Sequence, residues 1–130
     1  MPAFSSAEVA RLKKILIVDE SREEIRRLQA VLSQAGYWSV AVSDATTIEQ
    51  IIDIIHPGLI LMDVVMPQRN GFQACRELKR NTAYGFIPVV ILSARTGDSE
   101  RAWAEQQGAD AFVPKPFTGE QLLGTVQKFL

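Results

Sequence analysis

The sequence has little of what marks several common protein classes. Its one cysteine, Cys75, cannot form an internal disulfide, which fits a reducing, cytoplasmic setting. Its one histidine, His56, precedes Pro57-Gly58 and has no His or Cys nearby, which argues against a zinc-type site. No apolar run reaches the length of a membrane span, and the N-terminus carries no long apolar stretch of the signal-peptide kind. Charge of one sign is missing as well. The 14 Lys and Arg against 15 Asp and Glu leave a net −1, so no electrostatic footprint for nucleic acid or an anionic membrane is present. No glycine-rich loop follows the first apolar run, which disfavours a nucleotide cradle. Repeats and low-complexity segments are also absent.

What is present is a chain of 130 residues, 47% apolar, enough for one domain with a real core. Its strongest feature is the run Ile60-Leu61-Met62-Asp63, where buried-strand residues drive into a carboxylate and a loop begins at once. Leu16-Ile17-Val18 ends the same way in Asp19-Glu20, Val89-Val90-Ile91-Leu92 ends in Ser93, and Phe112-Val113-Pro114 ends in Lys115.

Between these strands lie helical patterns. Ser21 can cap a helix reaching about Ala35, with Ile25, Leu28, Val31 and Leu32 on one face and Gly36 after it. Trp38, Val40 and Val42 share one face of a strand from Tyr37 to Val42. Asp44 can cap a helix carrying Ile48, Ile51, Ile52 and Ile55. Further helices are predicted from Gly71 to Arg80, from Thr96 or Asp98 to Gly108, and after the cap Thr118. Strands are predicted at Leu59–Asp63, Ile87–Leu92 and Ala109–Val113. Residues 1–14 form an N-terminal extension in which Ser5-Ser6-Ala7-Glu8 can open a short helix.

Such alternation predicts a doubly wound α/β domain over 15–130, with a parallel sheet covered on both faces. Pro114 favours an edge position for the fifth strand, in keeping with the flavodoxin-like order 2-1-3-4-5. In that fold ligands bind outside the carboxyl ends of the strands. Asp19, Glu20, Asp63, Ser93 and Lys115 therefore converge on one sheet edge. Clustered carboxylates repel one another unless a cation answers them. Magnesium suits such oxygen donors, and an aspartate can itself take up a phosphoryl group. Taken singly, each of these residues is explained at least as well by helix capping. Their joint placement is what points to chemistry.

These motifs resemble the receiver domains of bacterial two-component response regulators, the CheY-like fold. They are Ile15-Leu16-Ile17-Val18-Asp19-Glu20, Leu61-Met62-Asp63-Val64-Val65-Met66-Pro67-Gln68-Arg69-Asn70-Gly71, Val89-Val90-Ile91-Leu92-Ser93-Ala94 and Val113-Pro114-Lys115-Pro116-Phe117. The stretches Gly71–Leu78 and Trp103–Ala109 resemble the stand-alone receivers of chemotaxis and type IV pilus (twitching) systems. The resemblance implies that Asp63 accepts the phosphoryl group from a sensor histidine kinase. It implies Mg2+ held by Asp19, Glu20, Asp63 and the Val65 carbonyl. Lys115 and Ser93 would contact the phosphoryl group, Phe112 would be the aromatic switch, and the bond before Pro116 would be cis. Val65 and Arg95 stand where the family tunes dephosphorylation. An apolar Val65 cannot position water, which implies slow intrinsic loss of phosphate.

Glu20 stands where the family more often has Asp, and Ser93 where Thr is commoner. The resemblance further implies output to a protein partner through Arg101, Glu105, Phe112 and Lys128, with the chain a monomer or weak dimer and neither nucleic acid nor membrane as partner. Two alternatives remain: a phosphorylation-independent scaffold, and a sink draining phosphate from a shared kinase. A turnover enzyme is disfavoured, because an aspartyl-phosphate phosphatase needs a second acid at the position of Val65. The remaining residues have plainer readings: Cys75 as core, Trp103 as packing or partner surface, and Arg22–Arg27 as a solvated face.

Overall fold

Five short strands line up in parallel in the order β2-β1-β3-β4-β5. The computed structural model describes residues 3, 5, 13–95 and 97–130. The helix predicted from Ser5-Ser6-Ala7-Glu8 lies largely outside the described residues, as does Thr96. The elements are β1 (Lys14–Val18), α1 (Arg22–Gln34), β2 (Trp38–Val42), α2 (Ile48–Ile55), β3 (Leu59–Asp63), α3 (Gly71–Arg80), β4 (Val89–Ser93), α4 (Asp98–Gln106), β5 (Ala111–Pro114) and α5 (Gly119–Phe129).

Alternation of side chains along each strand divides the core in two. Leu16, Val18, Ile60, Met62, Val89 and Ile91 face α2, α3 and α4, which supply Ile48, Ile52, Ala74, Cys75, Leu78 and Ala104. Ile15, Ile17, Leu59, Leu61, Val90 and Leu92 face α1 and α5, which supply Leu28, Leu32, Leu122 and Val126. Burying a Leu or Ile side chain fully contributes about 1.5–3 kcal/mol. The central strands are sealed on both faces, which is why they read as unbroken apolar runs.

Several predicted details change. Asp44 caps a single 3-10 turn (Ala45–Thr47), accepting the Thr46 N–H at 2.7 Å, and α2 begins only after it. Trp38 is 65% exposed, because β2 is an edge strand and its first residue overhangs the core. β4 starts two residues later than predicted and takes in Ser93; β5 shifts likewise and ends at Pro114. β1 begins at Lys14, within the predicted extension. The cap assignments for α1 and α5 match the predicted residues: Ser21 accepts from Glu24, and Thr118 and Gln121 form a capping box.

Candidate functional site

Register assembles the site. Val18 pairs with Met62, Asp63 with Leu92, and Ser93 with Pro114. The next residues after β1 and β5 are Asp19 and Lys115, so parallel pairing brings Asp19, Asp63, Ser93 and Lys115 to one edge. The Lys115 ammonium donates to Asp63 Oδ1 at 3.1 Å and to Asp19 Oδ2 at 3.5 Å. Asp19 is 2% exposed, and its Oδ1 accepts the Ser21 N–H at 2.9 Å. It therefore supports the entry to α1 and faces the site with its other oxygen. Ser93 is also buried, and its Oγ accepts the Arg95 N–H at 3.0 Å. Capping and site roles coexist in these two residues.

The electrostatics follow from the geometry. Burial pushes the Asp63 carboxyl above its ordinary value, and Lys115 only partly offsets this. Burial also works against the Lys115 charge, but Asp63, Asp19 and Glu24 together outweigh it and raise its pKa. One ammonium is shared among several acids.

The loop after Asp63 is shaped by three features. Gly71 donates its N–H to the Val64 carbonyl at 2.9 Å, and a Cβ on Gly71 would collide with the Asp63 carbonyl oxygen. Gln68 adopts φ 69°, an uncommon conformation for a residue with a side chain. Arg69 braces the loop, donating to the Ala45 carbonyl at 2.9 Å and pairing with Glu49 at 2.7 Å and Glu77 at 3.0 Å. Val65 projects outward and is exposed.

Of the predicted metal ligands, Asp19 and Asp63 come together, whereas Glu20 is exposed. Among the described residues no three His, Cys, Asp or Glu side chains converge as a ready cage. The structure thus draws two of the three predicted acids to one ammonium, with Glu20 next to Asp19 in the chain and open to solvent. That donor set still fits magnesium, which takes oxygen ligands, keeps several waters and is often held by one or two carboxylates plus a phosphate.

The predicted partner residues Arg101, Glu105, Phe112 and Lys128 line one cleft between α4, β5 and α5. Phe112 is buried there rather than displayed, with the Arg101 guanidinium 5.0 Å from its ring centre. Arg95 is exposed beside Ser93, and the Lys115–Pro116 bond is cis. Cys75 is buried and its thiol is pushed up to about 11 by that burial, in line with a core role. Trp103 is 48% exposed.

Three residues near the site were not singled out from the sequence. Glu24 comes within 4.0 Å of Lys115, Arg27 holds the Phe117 carbonyl at 2.5 Å, and Arg69 braces the loop. The solvated-face reading of Arg22–Arg27 therefore fails for Glu24, while Arg27 stays exposed and still bonds the Phe117 carbonyl. The Ser-x-x-Glu pattern at Ser21–Glu24 was the one signal available.

Residues 15–127 match the response regulator receiver domain. The chain belongs to that family. The receiver is 34% identical to protein PilH of Pseudomonas aeruginosa over 119 residues, 92% of this chain and 98% of PilH. The Vibrio cholerae chemotaxis protein CheY4 has a similar structure, with a TM-score of 0.83 and 28% identity over 91% of this chain and 98% of that one. The receiver domain of the sensor histidine kinase PA1611 from Pseudomonas aeruginosa was solved with a magnesium ion coordinated in its active-site cleft. It is 25% identical with a TM-score of 0.81, covering 90% of this chain and 96% of that one. The chain is a two-component receiver domain, a signalling switch with the CheY-like five-stranded sheet.

Proposed function

We propose that this receiver is switched by phosphorylation of Asp63, with a sensor histidine kinase as donor. The observation that carries the reading is the Lys115 ammonium 3.1 Å from Asp63 Oδ1 at the carboxyl edge of the sheet. An Asp63 oxygen attacks phosphorus, the bond from phosphorus to the kinase imidazole breaks, and the electron pair leaves with the nitrogen. An acyl phosphate results, and attack by water later restores the carboxylate and releases phosphate. Positioning and charge neutralisation supply most of the catalysis in such transfers. Lys115 provides a fixed positive charge for the new oxygens. Asp19, Glu20 and Asp63, with the Val65 carbonyl, are the groups to hold magnesium, which when bound neutralises part of the incoming charge. The Ser93 hydroxyl, now held by the Arg95 amide, is the donor that can turn to the phosphoryl group.

The added charge of roughly −1.5 to −2, taken from monoesters, would bias Ser93 and Phe112 and so the cleft of Arg101, Glu105 and Lys128. A protein target at that cleft is the output we infer. A cytoplasmic role in chemotaxis-like or pilus motility control rests on the resemblance of Gly71–Leu78 and Trp103–Ala109. No described helix is long and apolar enough to cross a membrane. Glu20, one methylene longer than the Asp more common there in the family, favours a second reading, a scaffold that works without phosphate.

Intact mass after incubation with magnesium and acetyl phosphate separates the two. One added phosphoryl group on the wild type and none on Asp63→Asn is the expected result. An unmodified wild type under conditions that label another receiver would favour the scaffold.

A further inference from the structure

Glu24 sits in the first turn of α1, three residues past its cap. In a capping box such an acid reaches back to the N–H of the cap residue. Here that N–H is taken, because Ser21 donates it to Asp19 Oδ1 at 2.9 Å. The cap itself survives through Ser21 Oγ, which accepts the Glu24 N–H at 3.2 Å. The Glu24 side chain is thereby released from capping and turns to the site. Its Oε1 lies 4.0 Å from Lys115 Nζ. That oxygen is buried and accepts no hydrogen bond among the described residues.

The other oxygen faces Arg27, with Oε2 4.0 Å from Nη1. Arg27 in turn donates to the Phe117 carbonyl at 2.5 Å and lies 5.1 Å from the Phe117 ring centre. α1 thus grips the chain two residues past Lys115 and presents an unsatisfied carboxylate oxygen to the ammonium. A buried acceptor without a donor is costly, and the cation is its available remedy.

We infer that Glu24 is a positioning residue for Lys115: it holds the ammonium before phosphorylation and competes with the phosphoryl group for it afterwards. This rests on Asp63 being the phosphoacceptor. Asp19, Asp63 and Glu24 share one ammonium at 3.5, 3.1 and 4.0 Å. New phosphoryl oxygens on Asp63 draw the ammonium toward themselves, and the oxygen of Glu24 then loses its cation. That loss opposes the activated state, so Glu24 sets how tightly the site holds a phosphoryl group.

The test uses Glu24→Gln, which keeps the shape and the backbone cap and removes the charge. Beryllofluoride is titrated into full-length protein at saturating magnesium, and bound fluoride is read by 19F NMR. Glu24→Gln should bind the phosphoryl mimic about two- to fivefold more tightly than wild type, the range of a partly screened ion pair. A side chain that served only the fold would leave affinity unchanged or weaken it, and either result overturns the inference. A wild type that binds no beryllofluoride removes the Asp63 reading and this inference together. A wild type that binds, with Glu24→Gln equal to it, removes this inference alone. The holding role is read without magnesium, by urea unfolding of Glu24→Gln, Lys115→Met and the double variant. A favourable coupling between the two residues is expected; additive effects overturn that half of the inference.

Discussion

Two regions of this receiver set one cation among carboxylates, and they behave differently. Arg69 spreads its guanidinium over Glu49, Glu77 and the Ala45 carbonyl, with contacts of 2.7 to 3.0 Å. Lys115 meets Asp63, Asp19 and Glu24 at 3.1, 3.5 and 4.0 Å. The planar fork of arginine saturates several acceptors in fixed directions and works as a brace. The ammonium of lysine is a point charge on a flexible stem, able to follow whichever anion is strongest. The brace lies under the loop that leaves Asp63, and the movable charge lies over Asp63 itself. A switch needs both: a loop held in one shape, and a cation free to change partners.

Loss of the movable charge at Lys115 has the largest expected effect. Lys115→Met should lower the rate of Asp63 phosphorylation by acetyl phosphate by about a hundredfold, the scale for removing one preorganised donor from a phosphoryl or oxyanion site. Intact mass against time measures it. A loss of only a few-fold would mean that the ammonium is a structural charge like Arg69.

The converse variant is Arg69→Met. It removes a side chain that is 12% exposed, whereas its acids remain open to water, at 34% for Glu49 and 46% for Glu77. Solvent therefore rescues the acids, and the cost is about 1–2 kcal/mol rather than that of a buried pair. The urea midpoint should fall accordingly, while the phosphorylation rate stays within a few-fold of wild type. A rate that dropped as far as that of Lys115→Met would make Arg69 part of the chemistry rather than a brace.

The two regions also differ in how visible they were before any coordinates. Asp19, Asp63, Ser93 and Lys115 stand at the ends of apolar runs, and parallel strands in register place such ends side by side. A pattern local to each strand thus carried a non-local result. Glu24 and Arg69 had no such frame. Glu24 lies in a helix whose charges of both signs look like an ordinary wet face, and its partner Lys115 is 91 positions away. What turns it inward is the diversion of the Ser21 N–H to Asp19, an event no spacing rule encodes. Arg69 follows Met66-Pro67-Gln68 in a loop, and its partners come from two different helices. Asp44 shows the same limit on a smaller scale: a good capping residue was evident, but a 3-10 turn intervenes before α2.

A gentler probe of the site's strain is the pH dependence of stability without metal. Asp63 has its pKa raised chiefly by burial, with Lys115 compensating only in part. Between the unfolded value near 3.8 and the higher folded value, the native state holds more protons than the unfolded state. Stability therefore falls as pH rises through that window, and at neutral pH the ionised Asp63 is a net cost to the fold. Asp63→Asn is a neutral near-isostere and removes that cost. In chelator at neutral pH it should unfold at a higher urea concentration than wild type. The advantage should shrink as pH drops through that window and vanish only below 3.8, where wild-type Asp63 is protonated in both states. An Asn variant less stable than wild type at neutral pH would show that the Asp63–Lys115 pair holds the fold together, as the Arg69 cluster does, and the contrast between brace and movable charge would fail at its centre.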